Sequence, residues 1–339
     1  MNSTMSPNYI PKVSVIVPVY NTERYVERAI ISLMEQTLDD VQFIIIDDGS
    51  KDNSLNIIKQ VIARYPARQG QVTLISRENR GVAATRAQGM ELATGDYVIH
   101  LDSDDWAELN WLEALYTKAI EDNADVVICD YYKVYKNKKI EVSQNVLPSP
   151  YNCVKQLFNR KLSNSNWDKL VRKKIFDDNE ISFIDGLDMG EDFLVTLLVL
   201  LNSKKISYIN KPLYYYNKNN DSSLTKSYSN KALYDLVKVV DLADNYMKEK
   251  GILEFFLHEM NMFKLDVKSL IILNSNNNID LVNYAFNLYP NTNKLIIGSN
   301  MKTLKFVYIL RSLRLLSFYK YIVRFRILIK KIFNYTRST

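Results

Sequence analysis

The 339 residues, 47% of them hydrophobic and 24% charged, exclude a chain disordered throughout and suggest about two domains. Two cysteines, Cys129 and Cys153, exclude a disulfide scaffold and a cysteine-built metal site, and fit a reducing compartment. The net charge of +6 is local: residues 301–339 hold ten Lys/Arg and no acid, so the remainder carries −4.

Residues 1–12 are polar and lack the apolar core of a signal peptide. Residues 12–19 (KVSVIVPV) then predict a buried strand, with Thr22 as cap of the helix that follows. A second apolar strand, 41–46, runs into Asp47-Asp48-Gly49-Ser50. A helix over 52–64, a strand over 72–75 and a helix over 81–93 follow, and the strand 96–101 ends at Asp102. A helix over 108–121 and a strand over 126–128 continue the alternation. Alternating strands and helices predict parallel strands with helices on both faces. No stretch of 18 uncharged apolar residues exists, and the apolar run from Phe193 to Leu201 reads as a buried helix.

In such sheets ligands bind beyond the carboxyl ends of the strands. Asp47 and Asp48 fall at one such end, and Asp102, Ser103, Asp104 and Asp105 at another. Three aspartates in four residues repel one another unless a cation or good hydrogen bonds offset the charge. Mg²⁺ and Mn²⁺ suit carboxylate oxygens, and such a metal can in turn hold a phosphate. A plain helix-capping turn accounts for either cluster taken alone. No GxGxxG and no GxxxxGK is present, which argues against a dinucleotide fold or a P-loop. Five of the nine glycines lie between 49 and 95, and Gly186 and Gly190 form a second cluster.

The segments VSVIVPVYNTERYVERAIISLMEQT, FIIIDDGSKDNS and ENRGVAATRAQGMELATGDYVIHLDSDD resemble, in order, the family 2 glycosyltransferases of GT-A fold. WDKLVRKKIF at 167–176 and the stretch 185–225 resemble the acceptor half of bacterial polysaccharide members. The resemblance implies a Rossmann-like, mostly parallel α/β sheet flanked by helices, with a helical C-terminal region. It implies a nucleotide half at about 12–130 and an acceptor half at about 131–228, together a GT-A domain over 1–228. A helical extension over 229–300 and the basic tail 301–339 follow.

The resemblance also assigns roles. Pro18 and Tyr20 line the nucleotide pocket, and Asp48 meets the uracil ring with Asp47 beside it. Arg86 lies near the nucleotide, Asp102 contacts the ribose, and Asp104 ligates Mn²⁺ or Mg²⁺ on the diphosphate. Asp192 of Gly190-Glu191-Asp192 is the catalytic base, and residues 222–225 (SSLT) close over the donor. Ala87 departs from the family's usual ARN, and His100 replaces a frequent aromatic. His100 reads as a packed strand residue. Without QxxRW, one sugar is expected per encounter.

The chemistry needs these parts. A metal on the two phosphates stabilises the leaving group as a Lewis acid. A carboxylate takes the proton of the incoming hydroxyl, and an apolar helix behind Asp192 raises its pKa. In-line attack inverts the anomeric centre. For Glu191-Asp192 the bland reading is first-turn acids favoured by the helix dipole. Trp167, Tyr214, Tyr215 and Tyr216 are either sugar-stacking faces or core, and Asp168 and Lys169 are weaker acceptor-side candidates.

Residues 231–249 and 253–273 predict helices with no chemistry of their own. Taken as a helix, 318–333 sets Phe318, Tyr321, Ile322, Phe325, Ile329 and Ile332 against Lys320, Arg324, Lys330 and Lys331. That pattern predicts an interfacial helix at the inner face of the plasma membrane, near a polyprenyl-linked saccharide acceptor, and no nucleic-acid partner. A packed helix with solvated lysines is the alternative. The expected activity is one-sugar transfer from a nucleotide sugar, UDP-linked by preference, in capsule, exopolysaccharide or lipopolysaccharide synthesis. A nucleotidyltransferase would need a glycine-rich triphosphate loop where Val17-Pro18-Val19-Tyr20 stands. A non-catalytic scaffold would tolerate loss of acids that this chain retains.

Overall fold

The computed structural model describes residues 10–220, 228–275 and 278–316. The chain divides into two compact units, with the boundary between Ser227 and Tyr228.

The first unit is built on a nine-stranded sheet. Its first strands are β1 (Val13–Val19), β2 (Val41–Asp47), β3 (Val72–Ser76) and β4 (Tyr97–His100). β1 and β2 are almost wholly buried, as Val/Ile-rich strands covered on both faces must be. β1 pairs in parallel with β2 and β4, and β2 with β3. Helices α1 (Val26–Met34), α2 (Ser54–Ala63) and α3 (Val82–Leu92) make the crossovers. α3 carries small residues against the sheet. A Cβ on Gly89 would lie 2.4 Å from Ile16 Cγ2, so only glycine lets the helix approach β1 this closely.

The second half adds β5 (Trp106–Ala107), α4 (Trp111–Glu121), β6 (Val126–Tyr135), β7 (Lys138–Val142) and α5 (Pro150–Phe158). After these come β8 (Lys169–Arg172), α6 (Lys173–Asp178), α7 (Glu191–Asn202) and β9 (Ile206–Asn217). The sheet runs β3-β2-β1-β4-β8-β6-β9-β5, with β7 on β6. β6 and β9 are parallel, whereas β8 is antiparallel to both β4 and β6. Four-residue β8 is the antiparallel insert that joins the parallel strands β3-β2-β1-β4 to the parallel pair β6 and β9. Thr22 is corrected as a side-chain cap. Tyr25 is the N-cap of α1, and the Thr22 hydroxyl donates instead to Ser103 Oγ at 3.1 Å.

The second unit is helical: α8 (Asn230–Glu249), α9 (Leu257–Leu273), α10 (Ile279–Asn287) and α11 (Lys302–Ser312). α8 buries Leu233, Val237, Val240, Ala243 and Met247, a helical stripe. Ser229 caps α8 and Asn278 caps α10 through their side chains. α11 buries Leu304 and Val307, so the basic segment begins as part of this unit's core. The interfacial helix expected over 318–333 and the loop 222–225 lie outside the described residues. Among those described, no helix is long and apolar enough to cross a membrane.

Candidate functional site

The carboxyl ends of β1, β2 and β4 form one rim of the first unit. Pro18 is half-buried at the end of β1, and Tyr20, just past it, is 46% exposed. Asp47 ends β2 and is absorbed by its own turn, accepting from Ser50 N–H at 3.2 Å and from Ser76 Oγ at 2.8 Å. Asp48 accepts from the N–H groups of Arg80 (3.0 Å) and Gly81 (2.8 Å) and pairs with Arg77 Nη2 at 2.9 Å. It therefore ties the turn after β2 to the start of α3. Gly81 sits there with φ +91°, and a Cβ on it would lie 2.7 Å from Asp188 Oδ1.

The turn after β4 separates its acids by environment. Asp105 is fully buried and accepts from Tyr214 OH (3.0 Å) and Asn217 N–H (2.7 Å). Burial, then the charges of Asp104 and Asp102, push it well above the carboxylate range. Ser103 is buried against Thr22. Asp105 and Ser103 are thus internal supports, which corrects their candidacy as ligand contacts. Asp104 is half-buried. Its Oδ2 accepts from Asn220 Nδ2 at 2.8 Å, and no donor among the described residues reaches Oδ1. Burial and then the like charge of Asp102 raise its pKa. A divalent cation at Oδ1 would relieve that repulsion, so the donor chemistry fits Mn²⁺ or Mg²⁺. Among the described residues, no cluster of three or more His, Cys, Asp or Glu could hold a metal. The remaining ligands would have to be substrate oxygens and water.

Arg86, buried in α3, is the hub. Its Nη2 donates to Asp102 Oδ1 at 2.9 Å, and its Nη1 to Glu191 Oε1 at 2.8 Å and Asp192 Oδ1 at 2.7 Å. Burial opposes its charge, but Asp192, Asp102 and Glu191 outweigh that and hold it protonated. One guanidinium thus joins the turn after β4 to the first turn of α7. Burial raises the pKa of both Glu191, to about 8, and Asp192. For Glu191 the charge of Asp192 adds to this; for Asp192, Arg86 opposes it and Asp102 adds to it. Asp192 also accepts from Asn166 Nδ2 at 2.6 Å.

His100 is buried in β4, edge-on to Phe183 at 5.3 Å, and neither ring nitrogen has a hydrogen-bond partner among the described residues. Burial, then Arg86, keep it neutral. Trp167 is 4% exposed and stacked on Tyr214 at 4.3 Å. It belongs to the core, which corrects its candidacy as a sugar platform. Asp168 and Lys169 are buried and paired with each other at 2.6 Å, so neither faces an acceptor. Sequence reasoning missed Arg77, Phe183 and Asn166. Arg77 stands directly before the ENRG segment, a signal that could have found it, whereas nothing in periodicity or spacing marks the other two.

The chain matches the glycosyl transferase family 2 model over residues 14–179. EpsH of Bacillus subtilis (strain 168) is 31% identical over 271 residues, spanning 78% of this chain and 77% of EpsH. Glycosyltransferase GlyG of Streptococcus pneumoniae serotype 4 is 30% identical over 242 residues, spanning 67% of this chain and 77% of GlyG. Among solved structures, S. aureus TarS 1–349 in complex with UDP-GlcNAc aligns with TM-score 0.68 over 92% of this chain and 91% of that one. At 20% identity, that likeness speaks to the fold. With EpsH and GlyG alike across more than two thirds of their own lengths, the chain belongs to glycosyl transferase family 2.

Proposed function

We propose that this glycosyltransferase moves one sugar, with inversion, from a UDP-sugar to a hydroxyl of a saccharide acceptor in cell-surface polysaccharide synthesis. The observation that carries the reading is the Arg86 bridge. It sets Asp192 and Asp102 on one side chain, 2.7 and 2.9 Å from its two terminal nitrogens, with Asp104 two residues beyond Asp102. The residue proposed to take a proton and the acids proposed to face the donor therefore share one charge network. The UDP-GlcNAc bound by TarS supports a UDP-sugar as donor.

In this reading Pro18, Tyr20 and Asp48 line the nucleotide pocket, and Asp102 faces the ribose. Asp104 would hold a Mn²⁺ or Mg²⁺ ion, which supplies Lewis-acid stabilisation of the diphosphate when bound. Asp192 accepts the proton of the acceptor hydroxyl as its oxygen attacks the anomeric carbon from the face opposite the diphosphate. The bond to the diphosphate oxygen breaks, and the nucleoside diphosphate departs with that electron pair. An α-linked donor gives a β-linked product. Burial raises the pKa of Asp192, which makes it a stronger base than an ordinary carboxylate.

The acceptor fits a lipid-linked saccharide at the inner face of the plasma membrane. The ten cations of 301–339, each contributing about 1 kcal/mol near an anionic leaflet, support that placement. The test is a panel of UDP-, GDP- and dTDP-sugars with Mn²⁺ or Mg²⁺, scoring nucleoside diphosphate release. UDP release that needs the metal is expected. Release from GDP- or dTDP-sugars alone would overturn the donor assignment.

A further inference from the structure

Both donors on Asp192 fall on the same oxygen. Arg86 Nη1 and Asn166 Nδ2 donate to Oδ1 at 2.7 and 2.6 Å. No donor among the described residues reaches Oδ2, and Oδ2 is not one of the buried atoms left without a partner. The side chain of Asp192 is 27% exposed. One oxygen is pinned and the other faces outward.

We propose that Asn166 is a positioning residue: by pinning Oδ1 together with Arg86, it turns Oδ2 of Asp192 toward the acceptor hydroxyl as the atom that receives the proton. The inference rests on the reading of Asp192 as the base. Asn166 is itself held from several sides. The Lys169 ammonium, 2% exposed, donates to the carbonyls of Ser163 (2.7 Å) and Ser165 (2.8 Å) and to Asp168 Oδ1 (2.6 Å). Gln144 binds the same segment twice: its Oε1 accepts from Ser163 N–H at 2.8 Å, and its Nε2 donates to Asp168 Oδ2 at 2.8 Å. Thr196 Oγ1, one turn after Asp192 on α7, donates to Asn164 O at 3.1 Å. The helix that bears the base thus also anchors the segment that aims it. This gives Lys169 a task that its burial permits: it shapes residues 163–166 and touches no substrate.

Four charged groups face Asp192 from the surrounding elements: Arg86 on α3, Asp102 after β4, Lys169 on β8 and Glu191 on α7. Asn166 is the neutral donor among them, so its removal changes a hydrogen bond without changing charge. The experiment measures UDP release from the UDP-sugar selected by the panel, UDP-GlcNAc first, with water as acceptor, across pH 5 to 9. For Asn166→Ala, kcat should fall about tenfold with the donor KM unchanged. The acid limb of the kcat profile should move up by about one pH unit, because a carboxylate that loses a donor holds its proton more tightly. A limb that stays put while kcat falls would assign Asn166 a merely structural role and overturn the proposal. Should Asn166→Ala not fold, Asn166→Asp keeps the shape and sets a like charge on Oδ1. It should drive the limb further upward, and an unmoved limb would again overturn the proposal. Asp192→Asn separates the two failures. If it still transfers, the base assignment falls; if it is inactive while Asn166→Ala leaves the limb unmoved, only the positioning claim falls.

Discussion

At the scale of single residues the site is a problem of charge. Asp102, Glu191 and Asp192 converge on one buried arginine, so the group is net negative and poorly solvated. Removing the arginine leaves three carboxylates without their shared cation, a change that costs about 3–5 kcal/mol in buried pairs. Arg86→Met is therefore expected to lower the melting temperature by several degrees and to abolish transfer; a variant as stable and active as the parent would show the network to be dispensable. The pH dependence follows from the same burial. The proposed base, Asp192, can take a proton only when ionised, and its pKa in the fold is raised by burial first. Activity should thus decline as pH falls through that raised value, at a higher pH than an ordinary carboxylate would give. A profile flat down to pH 4 would contradict this. Asp102 and Asp104 stand out in the sequence as acids clustered at a strand end, whereas Asp192 is picked out by the family resemblance. The Asn166 contact does not stand out, because it joins residues 26 apart with β8 and α6 between them, and no periodicity marks it.

At the scale of elements, unbroken apolar runs were legible and edges were not. β1 and β2 read directly from Val/Ile content, since both faces are covered. β8 escaped notice because Lys169–Arg172 is four residues long, and its pairing is set by β4 and β6 on either side. β6 runs on to Tyr135 because β7 and β9 pair with its polar end. The start of α3 carries a prediction of its own. Gly81→Ala sets a Cβ against Asp188 in a backbone region that L residues rarely adopt, and should cost about 2 kcal/mol. Denaturant midpoints would register this, and an unchanged midpoint would contradict it. In the helical unit, Lys268 on α9 is fully buried, bonded to Tyr289 O and Asn293 Oδ1, and burial with Arg311 lowers its pKa to about 8. A folded value below the ordinary lysine value means that the unfolded chain holds more protons between pH 8 and 10.5, so this group adds stability as pH rises through that window. Lys268→Met should lose that increment; a parallel pH–stability curve for the two proteins would refute it.

At the scale of the whole chain, the sequence separates chemistry from charge. The acids proposed to face the donor lie in the first unit, and the surplus of cations lies in the last 39 residues. Because α11 buries Leu304 and Val307, a cut at 301 would damage the helical unit, whereas a cut after 316 keeps its described residues and still removes six cations. The shortened protein should move from pellet to supernatant when sedimented with anionic vesicles. Equal pelleting of both forms would refute the tail as a membrane anchor. The account as a whole is tested most directly by Asp192→Asn, measured for donor binding by calorimetry and for transfer by UDP release. The account predicts that donor affinity stays within a few-fold of the parent while transfer is lost. Near-normal transfer by the Asp192→Asn protein would contradict it.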